Sequence, residues 1–194
     1  MGSFVQTAFL QAQKTLEDFV GVPDNIDLIS RSVNILVETL KRNGTIYSCG
    51  NGGSMCDAAH FAEELTGYFR KKRPPLRALA INDPSYISCV SNDLGYEFIF
   101  SRFLESFGKS GDTLIALSTS GNSLNVINAT ETAKKNGIKV IGLLGKDGGK
   151  LKKLVDIPII VPAHSSDRIQ EVHIKIIHIL VEGIERSLYP ENYT

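Results

Sequence analysis

Residues 49–64 have the sequence CGNGGSMCDAAHFAEE and follow Thr45–Ser48, a short run that predicts a buried strand. The glycines around Asn51 permit positive φ angles and a close approach of the backbone to a ligand. Ser54 or Asp57 is placed to cap the helix that follows. A glycine-rich turn between a strand and a helix start suits an anion, so the stretch predicts an α/β fold with a ligand at this turn.

The helix after the turn carries three polar side chains on one side. Asp57 is three residues before His60, and Glu64 is four residues after it. A solvated polar stripe is the ordinary explanation for such a pair on a helix. Directly behind a glycine-rich turn, His60 and Glu64 instead predict a site that shares a proton or holds a metal.

A second strand-to-helix passage is rich in hydroxyl groups. Asp112–Leu117 predicts a strand, and Ser118–Ser123 separates it from a helix that begins near Leu124. Four hydroxyls and a glycine can donate several hydrogen bonds to one phosphate. A flexible linker is the alternative for such a run, but its position between an apolar strand and a helix favours a phosphate pocket.

Five predicted strands alternate with helices along the chain, which predicts an α/β fold: a three-layer, doubly wound, five-stranded parallel sheet of flavodoxin-like type. We expect one domain, residues 1–194, with ligands at the carboxyl ends of the strands. Two helices precede the first strand, and we expect residues 4–43 to be an extension for oligomer packing; packing within one subunit is the alternative. Nucleotide-binding glycine motifs do not follow any predicted strand. The predicted strands are residues 45–48, 76–81, 112–117, 139–144 and 157–161, and the predicted flanking helices are 4–20, 24–42 and 167–182.

Composition excludes several classes of protein. Acidic and basic residues balance at 21 each, so no net charge favours nucleic acid or an anionic membrane. The 3 cysteines form no Cys-x-x-Cys pair, which argues against a disulfide framework and a thiolate zinc site. Polar residues interrupt the apolar residues near the start, and no apolar run approaches the ~20 residues of a membrane span, so we expect a cytoplasmic protein.

Two polar segments have an ordinary explanation. Arg70–Pro75 is basic and stopped by prolines, which predicts a solvated connection. Asn92 and Asp93 lie where a helix is predicted to break and are typical turn formers, although they can also face a ligand.

Taken together, these segments resemble one known family over nearly the whole chain: the sugar isomerase, or SIS, domain proteins. The resemblance rests on the segments at residues 50–54, 60–65, 118–123 and 167–171 and on His178. It implies an aldose-ketose isomerase that converts D-sedoheptulose 7-phosphate into D-glycero-D-manno-heptose 7-phosphate, the first step toward heptose for bacterial lipopolysaccharide or capsule. It also implies a homotetramer with active sites between subunits.

The resemblance also assigns roles to individual residues. Glu64 and His178 would be the acid/base pair, and one zinc ion per subunit would be held by His60, Glu64, Gln170 and His178. An enediol mechanism needs one group for protons on carbon and another for protons on oxygen, and a carboxylate and an imidazole suit these tasks. The implied substrate contacts are Asn51, Gly52, Gly53, Glu64, Asn92, Asp93, Ser118, Thr119, Ser120, Ser123 and Gln170.

Helix geometry limits this metal set, because Gln170 and His178 could reach one metal only near full extension. Gln170 and His178 are eight residues apart, which is ~12 Å along a straight helix. We therefore expect that Gln170 lies at a frayed helix start or that His178 comes from a neighbouring subunit. Two other functions remain open: a non-enzymatic binding protein of the same family, of the type that binds the replication initiator DnaA, and another phosphosugar isomerase or sensor.

Overall fold

The computed structural model describes residues 2–194 and contains a five-stranded, wholly parallel sheet with the strand order β2-β1-β3-β4-β5. This order and the helices on both faces confirm the predicted fold class; Met1, the first residue of the predicted domain, lies outside the described residues. The strands are β1 (Ile46–Cys49), β2 (Ala78–Ala80), β3 (Thr113–Ser118), β4 (Lys139–Gly145) and β5 (Ile157–Val161). The α-helices are α1 (Gly2–Val20), α2 (Pro23–Lys41), α3 (Gly53–Thr66), α4 (Pro84–Asp93), α5 (Ile99–Phe107), α6 (Leu124–Lys135) and α7 (Ser166–Leu188).

The two faces of the sheet are covered by two separate apolar cores. Leu36 of α2, Phe61 of α3 and Leu180 of α7 are buried on one face. Phe100 of α5 and Val126 of α6 are buried on the other. Helices cover both faces of the sheet, so β3 and most of β4 are buried along their length. This is expected for parallel strands between two helical layers.

Several predicted boundaries shift in the structure. The edge strand β2 is shorter than predicted, and its Leu79 is 46% exposed. The last helix continues six residues beyond the predicted end, because Ile184 and Glu185 are buried against the rest of the domain. The apolar periodicity of the sequence does not predict a buried acidic residue such as Glu185.

The two N-terminal helices have different environments. The buried side of α2 lies in the core beside α7, so its apolar face is used within the chain. In α1 only Thr15 and Phe19 are buried, whereas Phe4 and Phe9 are 66% and 74% exposed. Within residues 2–194, none of these helices combines the length and apolar character needed to cross a membrane.

Candidate active site

The two predicted ligand-binding turns lie side by side in the fold. Strands β1 and β3 are neighbours, with Cys49 paired in register to Ala116. The connection after β1 leads to α3 on one face of the sheet, and the connection after β3 leads to α6 on the other. Such a switch point opens a crevice at the carboxyl ends of the strands, where parallel sheets bind ligands.

The turn after β1 is built around Gly52, which has φ +55° and precedes the first residue of α3. No side chain caps this helix, so the expectation that Ser54 or Asp57 would cap it is wrong. Tight backbone turns take that place, with the Ser54 and Met55 amides donating to the carbonyls of Asn51 and Gly52 at 3.0 and 2.9 Å. Ser54 is buried instead.

Asn51 links the two turns across the crevice. Its side-chain amide exchanges two hydrogen bonds with the amide of Asn125, at 2.9 and 2.8 Å, and the Tyr96 hydroxyl donates to Asn51 Oδ1 at 2.9 Å. Asn125 lies in the first turn of α6, so these bonds fix the turn after β1 against the loop after β3. Sequence reasoning missed Asn125 and Tyr96, since neither belongs to a glycine- or hydroxyl-rich motif.

The loop after β3 is held by contacts among its own hydroxyls and with α7. Ser118 Oγ lies 2.9 Å from Ser123 Oγ, and Thr119 Oγ1 lies 3.1 Å from the hydroxyl of Ser166. Ser166 is the first residue of α7, and it was not predicted. The loop therefore lies at the amino ends of both α6 and α7, neither of which has a side-chain cap, and this arrangement favours an anion.

A second group of polar side chains lies between α3 and α7. Ligand atoms of His60, Glu64 and His178 lie within 4.8 Å of one another. His60 Nε2 is 3.2 Å from Glu64 Oε1 and 3.4 Å from His178 Nε2. The Phe69 ring stacks on His178 with centroids 5.6 Å apart. We call His60, Glu64 and His178 the His60 cluster. They form a possible metal-binding site.

One chain supplies all three residues of the cluster, so His178 does not need to come from a neighbouring subunit to meet Glu64. The expectation of a frayed helix start is wrong, because α7 is regular from Ser166 onward. Gln170 lies a little more than two turns before His178 and points to the start of α3, with its Nε2 3.3 Å from Ser54 Oγ. Its role as a metal ligand stays a prediction.

The remaining predicted substrate residues lie at the end of α4. Asn92 and Asp93 are exposed, and their side chains are hydrogen-bonded: Asn92 Nδ2 donates to Asp93 Oδ1 at 2.8 Å. They are the last two residues of the helix, and Tyr96, which contacts Asn51, follows shortly after. Among the described residues, the side-chain hydrogen bonds of Asn92 and Asp93 are with each other and with Cys89, and none reaches the turn after β1.

Asp57 is a half-buried carboxyl group on α3. Burial raises its pKa to about 6, against the opposing effect of His60. Its Oδ2 is buried and has no hydrogen-bond partner in the part of the chain that the structure describes. A carboxyl group with this pKa can exchange protons near neutral pH.

The basic loop at residues 70–75 is only partly the solvated connection that was predicted. Lys71 and Lys72 are exposed, but the Arg73 side chain is 1% exposed and pairs with Glu185 of α7 at 2.7 Å. The partner lies more than one hundred residues away in sequence, so local pattern could not reveal the pair.

Comparison with known proteins places this geometry in a family. The SIS domain model matches residues 10–145. Phosphoheptose isomerase of Tolumonas auensis is 52% identical over 185 residues, covering 95% of this chain and 96% of the relative. The enzyme of the same name from Glaesserella parasuis is 56% identical over 176 residues, covering 90% and 92%. The chain belongs to the SIS domain family, among the phosphoheptose isomerases.

Solved structures of this family also resemble the chain throughout. Phosphoheptose isomerase GmhA from Neisseria gonorrhoeae superposes with a TM-score of 0.89 at 34% identity, covering 95% of this chain and 98% of that one. The expected SIS fold and isomerase activity are thereby confirmed, and the reading as a non-enzymatic SIS binding protein is not favoured.

Proposed function

We propose that this SIS isomerase interconverts D-sedoheptulose 7-phosphate and D-glycero-D-manno-heptose 7-phosphate, supplying heptose for a bacterial surface polysaccharide. The observation that carries the proposal is the His60 cluster, which brings a carboxylate and two imidazoles within 4.8 Å of one another in a chain of the phosphoheptose isomerase family. The hydroxyl-rich loop provides a site for the phosphate.

Glu64 and His178 divide the proton transfers. The Glu64 carboxylate removes the proton from the carbon beside the carbonyl and returns it to the neighbouring carbon. His178 exchanges protons with the oxygens of the enediol. Glu64 Oε1 faces His60, which leaves Oε2 as the oxygen for the carbon-bound proton.

The donor atoms of the cluster fit zinc. Tetrahedral zinc with bonds of ~2.0–2.1 Å needs its ligand atoms roughly 3.3 Å apart. The two separations from His60 Nε2 are 3.2 and 3.4 Å, and all three ligand atoms lie within 4.8 Å of one another. Two Nε2 atoms at 3.4 Å also require a proton or a cation between them, since unprotonated ring nitrogens repel. When bound, zinc would polarise the substrate carbonyl. His60, Glu64 and His178 would hold it. Gln170, the fourth ligand implied by the family, contacts Ser54 in this structure and would have to turn its side chain toward the cluster.

The distance between the two sites supports an active site shared between subunits. Thr119 contacts the first residue of α7, while His178 lies twelve residues further along that helix, a rise of ~18 Å. A stretched seven-carbon sugar phosphate spans roughly 10 Å at the length per bond of an extended backbone. This separation favours a site whose loop and cluster come from different chains, and we propose a homotetramer in which neighbours complete each site.

The exposed face of α1 is the surface proposed for assembly. Together with part of α7 it lines an apolar groove of about 900 Å³ that reaches His178. A subunit packed there would cover exposed phenylalanines and close the solvent side of the cluster. The three free thiols fit a reducing compartment, and we propose that the enzyme acts in the cytoplasm.

The test is an NMR time course with sedoheptulose 7-phosphate in heavy water. We expect new aldose signals and deuterium at the reacting carbon with the unaltered protein, and neither with Glu64→Gln. The matched control is Glu131→Gln, an exposed position on α6, which should keep full activity. Unchanged substrate despite saturable binding would overturn the proposed function.

Metal dependence is tested separately. Zinc content after purification should be close to one per chain and should fall in His60→Gln. Equal zinc content in the two proteins would overturn the assignment of the cluster as its site.

A further inference from the structure

The buried pair Arg73–Glu185 lies next to the His60 cluster and is not part of it. The two side chains are 1% and 0% exposed, and Arg73 Nε donates to Glu185 Oε1 at 2.7 Å. Removing two charges from water is costly, and apolar replacements of similar volume are often as stable. The burial of this pair is therefore weak evidence that its role is to stabilise the fold. The groups that Arg73 and Glu185 contact are a better indication of their role.

Arg73 holds the end of α3 through its guanidinium. Its Nη2 donates to the backbone carbonyl of Glu64 at 2.7 Å. Its Nη1 contacts three further carbonyls around the helix end, those of Leu65, Gly67 and Pro74, at 2.8, 2.9 and 3.0 Å. These contacts hold the backbone at the proposed base, whose side chain is half-buried near the last turn of the helix.

Glu185 holds the other side of the cluster. Its Oε1 also accepts from the backbone amide of Phe69 at 3.2 Å, and the Phe69 ring stacks on His178. Its Oε2 accepts from the Tyr193 hydroxyl at 2.8 Å. Glu185 lies two turns after His178 on α7, so the pair joins the backbone of Glu64, the ring beside His178 and the helix that carries His178.

We propose that Arg73 and Glu185 are positioning residues that set the relative placement of Glu64 and His178. The inference rests on the proposed isomerase function, because it assigns the pair a role in that reaction. Catalytic groups must be held to a fraction of an ångström, and a misplacement of about 1 Å can cost 10²-fold in rate. The pair acts without touching the substrate.

The experiment compares two acid-to-amide changes with similar burial. Glu185→Gln removes the charge that holds Arg73. Asp112→Asn alters another buried carboxylate, which accepts from the Thr45 and Lys109 amides at 2.8 and 2.9 Å at the amino edge of the sheet, away from the site. Both changes should lower the melting temperature. Only Glu185→Gln should lower kcat, by about tenfold or more, with KM within about twofold.

A spectroscopic readout separates this inference from the proposed activity. The chain has 4 histidines, so ring signals in a heteronuclear NMR spectrum can be assigned by substitution. Glu185→Gln should shift the His178 signal, because Phe69 no longer stacks in the same place, and Asp112→Asn should leave it unchanged. The shift of the His178 signal is measured on ligand-free protein, so it tests the positioning role even if the proposed substrate is wrong.

Tyr193→Phe provides a milder variant that keeps both charges and removes one hydrogen bond to Glu185. It should reduce kcat by about two- to fivefold and move the His178 signal in the same direction. The inference is overturned where Glu185→Gln and Tyr193→Phe match Asp112→Asn in kcat, or where neither moves the His178 signal.

Discussion

Gly121 shows how a single residue shapes the proposed phosphate loop. Its φ is +65°, and a Cβ there would lie 2.0 Å from the Gly148 carbonyl oxygen. Gly121→Ala therefore has to move the backbone of a neighbouring turn as well as adopt a left-handed conformation. We expect a fall in melting temperature of more than about 8 °C and a raised KM for the sugar phosphate.

Gly52 is the matched control for that change. It also has a positive φ, +55°, but an added Cβ would meet nothing within 4 Å. Gly52→Ala should cost only the strain of its glycine-favouring backbone, φ +55° with ψ −124°, about 1–3 kcal/mol, and should therefore lower the melting temperature less than Gly121→Ala does. Equal shifts in the two variants would contradict the role of the Gly121–Gly148 contact.

His173 of α7 is a residue whose burial makes stability depend on pH. It is fully buried, and burial lowers its pKa from 6.5 to about 4, although the hydrogen bond with the Leu144 carbonyl opposes the shift. The unfolded chain takes up the proton first, so the contribution to stability is complete above pH 6.5 and is lost as the pH falls toward 4. That loss is on the order of 3 kcal/mol.

His173→Gln keeps an N–H group for Leu144 and cannot titrate. We expect it to be less stable than the unaltered protein at pH 8 but to lose less stability between pH 7 and pH 4, as measured by urea unfolding across that range. His164→Gln, at an exposed histidine, should keep the original acid dependence. An unaltered dependence in His173→Gln would show that another group is responsible.

Among the elements, α1 has the largest exposed apolar face. Phe4, Phe9 and Leu10 are 66%, 74% and 56% exposed. Replacing Phe4 and Phe9 with serine removes apolar area from the proposed interface while leaving Phe19 in the core. Light scattering should then report a species smaller than four copies of the 21.2 kDa chain. Gln6→Ser, on the same helix, should leave the mass unchanged.

An element is predictable from sequence when residues close together in the chain determine it, and less so when contacts between distant residues determine it. Strands β3 and β4 are buried on both faces, so continuous apolar runs marked them. The turn after β1 was located by its glycines, but the predicted cap failed because the positive φ of Gly52 led the backbone to close its own turns. The His60 and Glu64 pair followed from helical spacing. The contacts of Tyr96, Ser166 and Arg73 come from residues distant in sequence, which periodicity does not report.

At the scale of the whole molecule, the positions of the loop after β3 and of the His60 cluster determine how the proposed subunits would share a site. Both helices start at the carboxyl edge of the sheet, where the hydroxyl-rich loop lies. His60 and Glu64 lie two to three turns down α3, and His178 lies at a similar depth on α7. In the proposed homotetramer, His60, Glu64 and His178 of one chain form the cluster, and the loop that would bind the phosphate of its substrate comes from a neighbouring chain.

This division predicts which inactive variants can restore one another. A chain with Glu64→Gln keeps its loop, and a chain with Ser118→Ala and Ser120→Ala keeps its cluster. After verified subunit exchange, an equal mixture should recover up to about a quarter of normal activity, because half the loops and half the clusters are intact. A mixture of Glu64→Gln with His178→Gln should recover nothing, since each chain then carries a damaged cluster. Recovery in the second mixture would mean that His178 serves a neighbouring Glu64, and no recovery in the first would place loop and cluster of one site on the same chain.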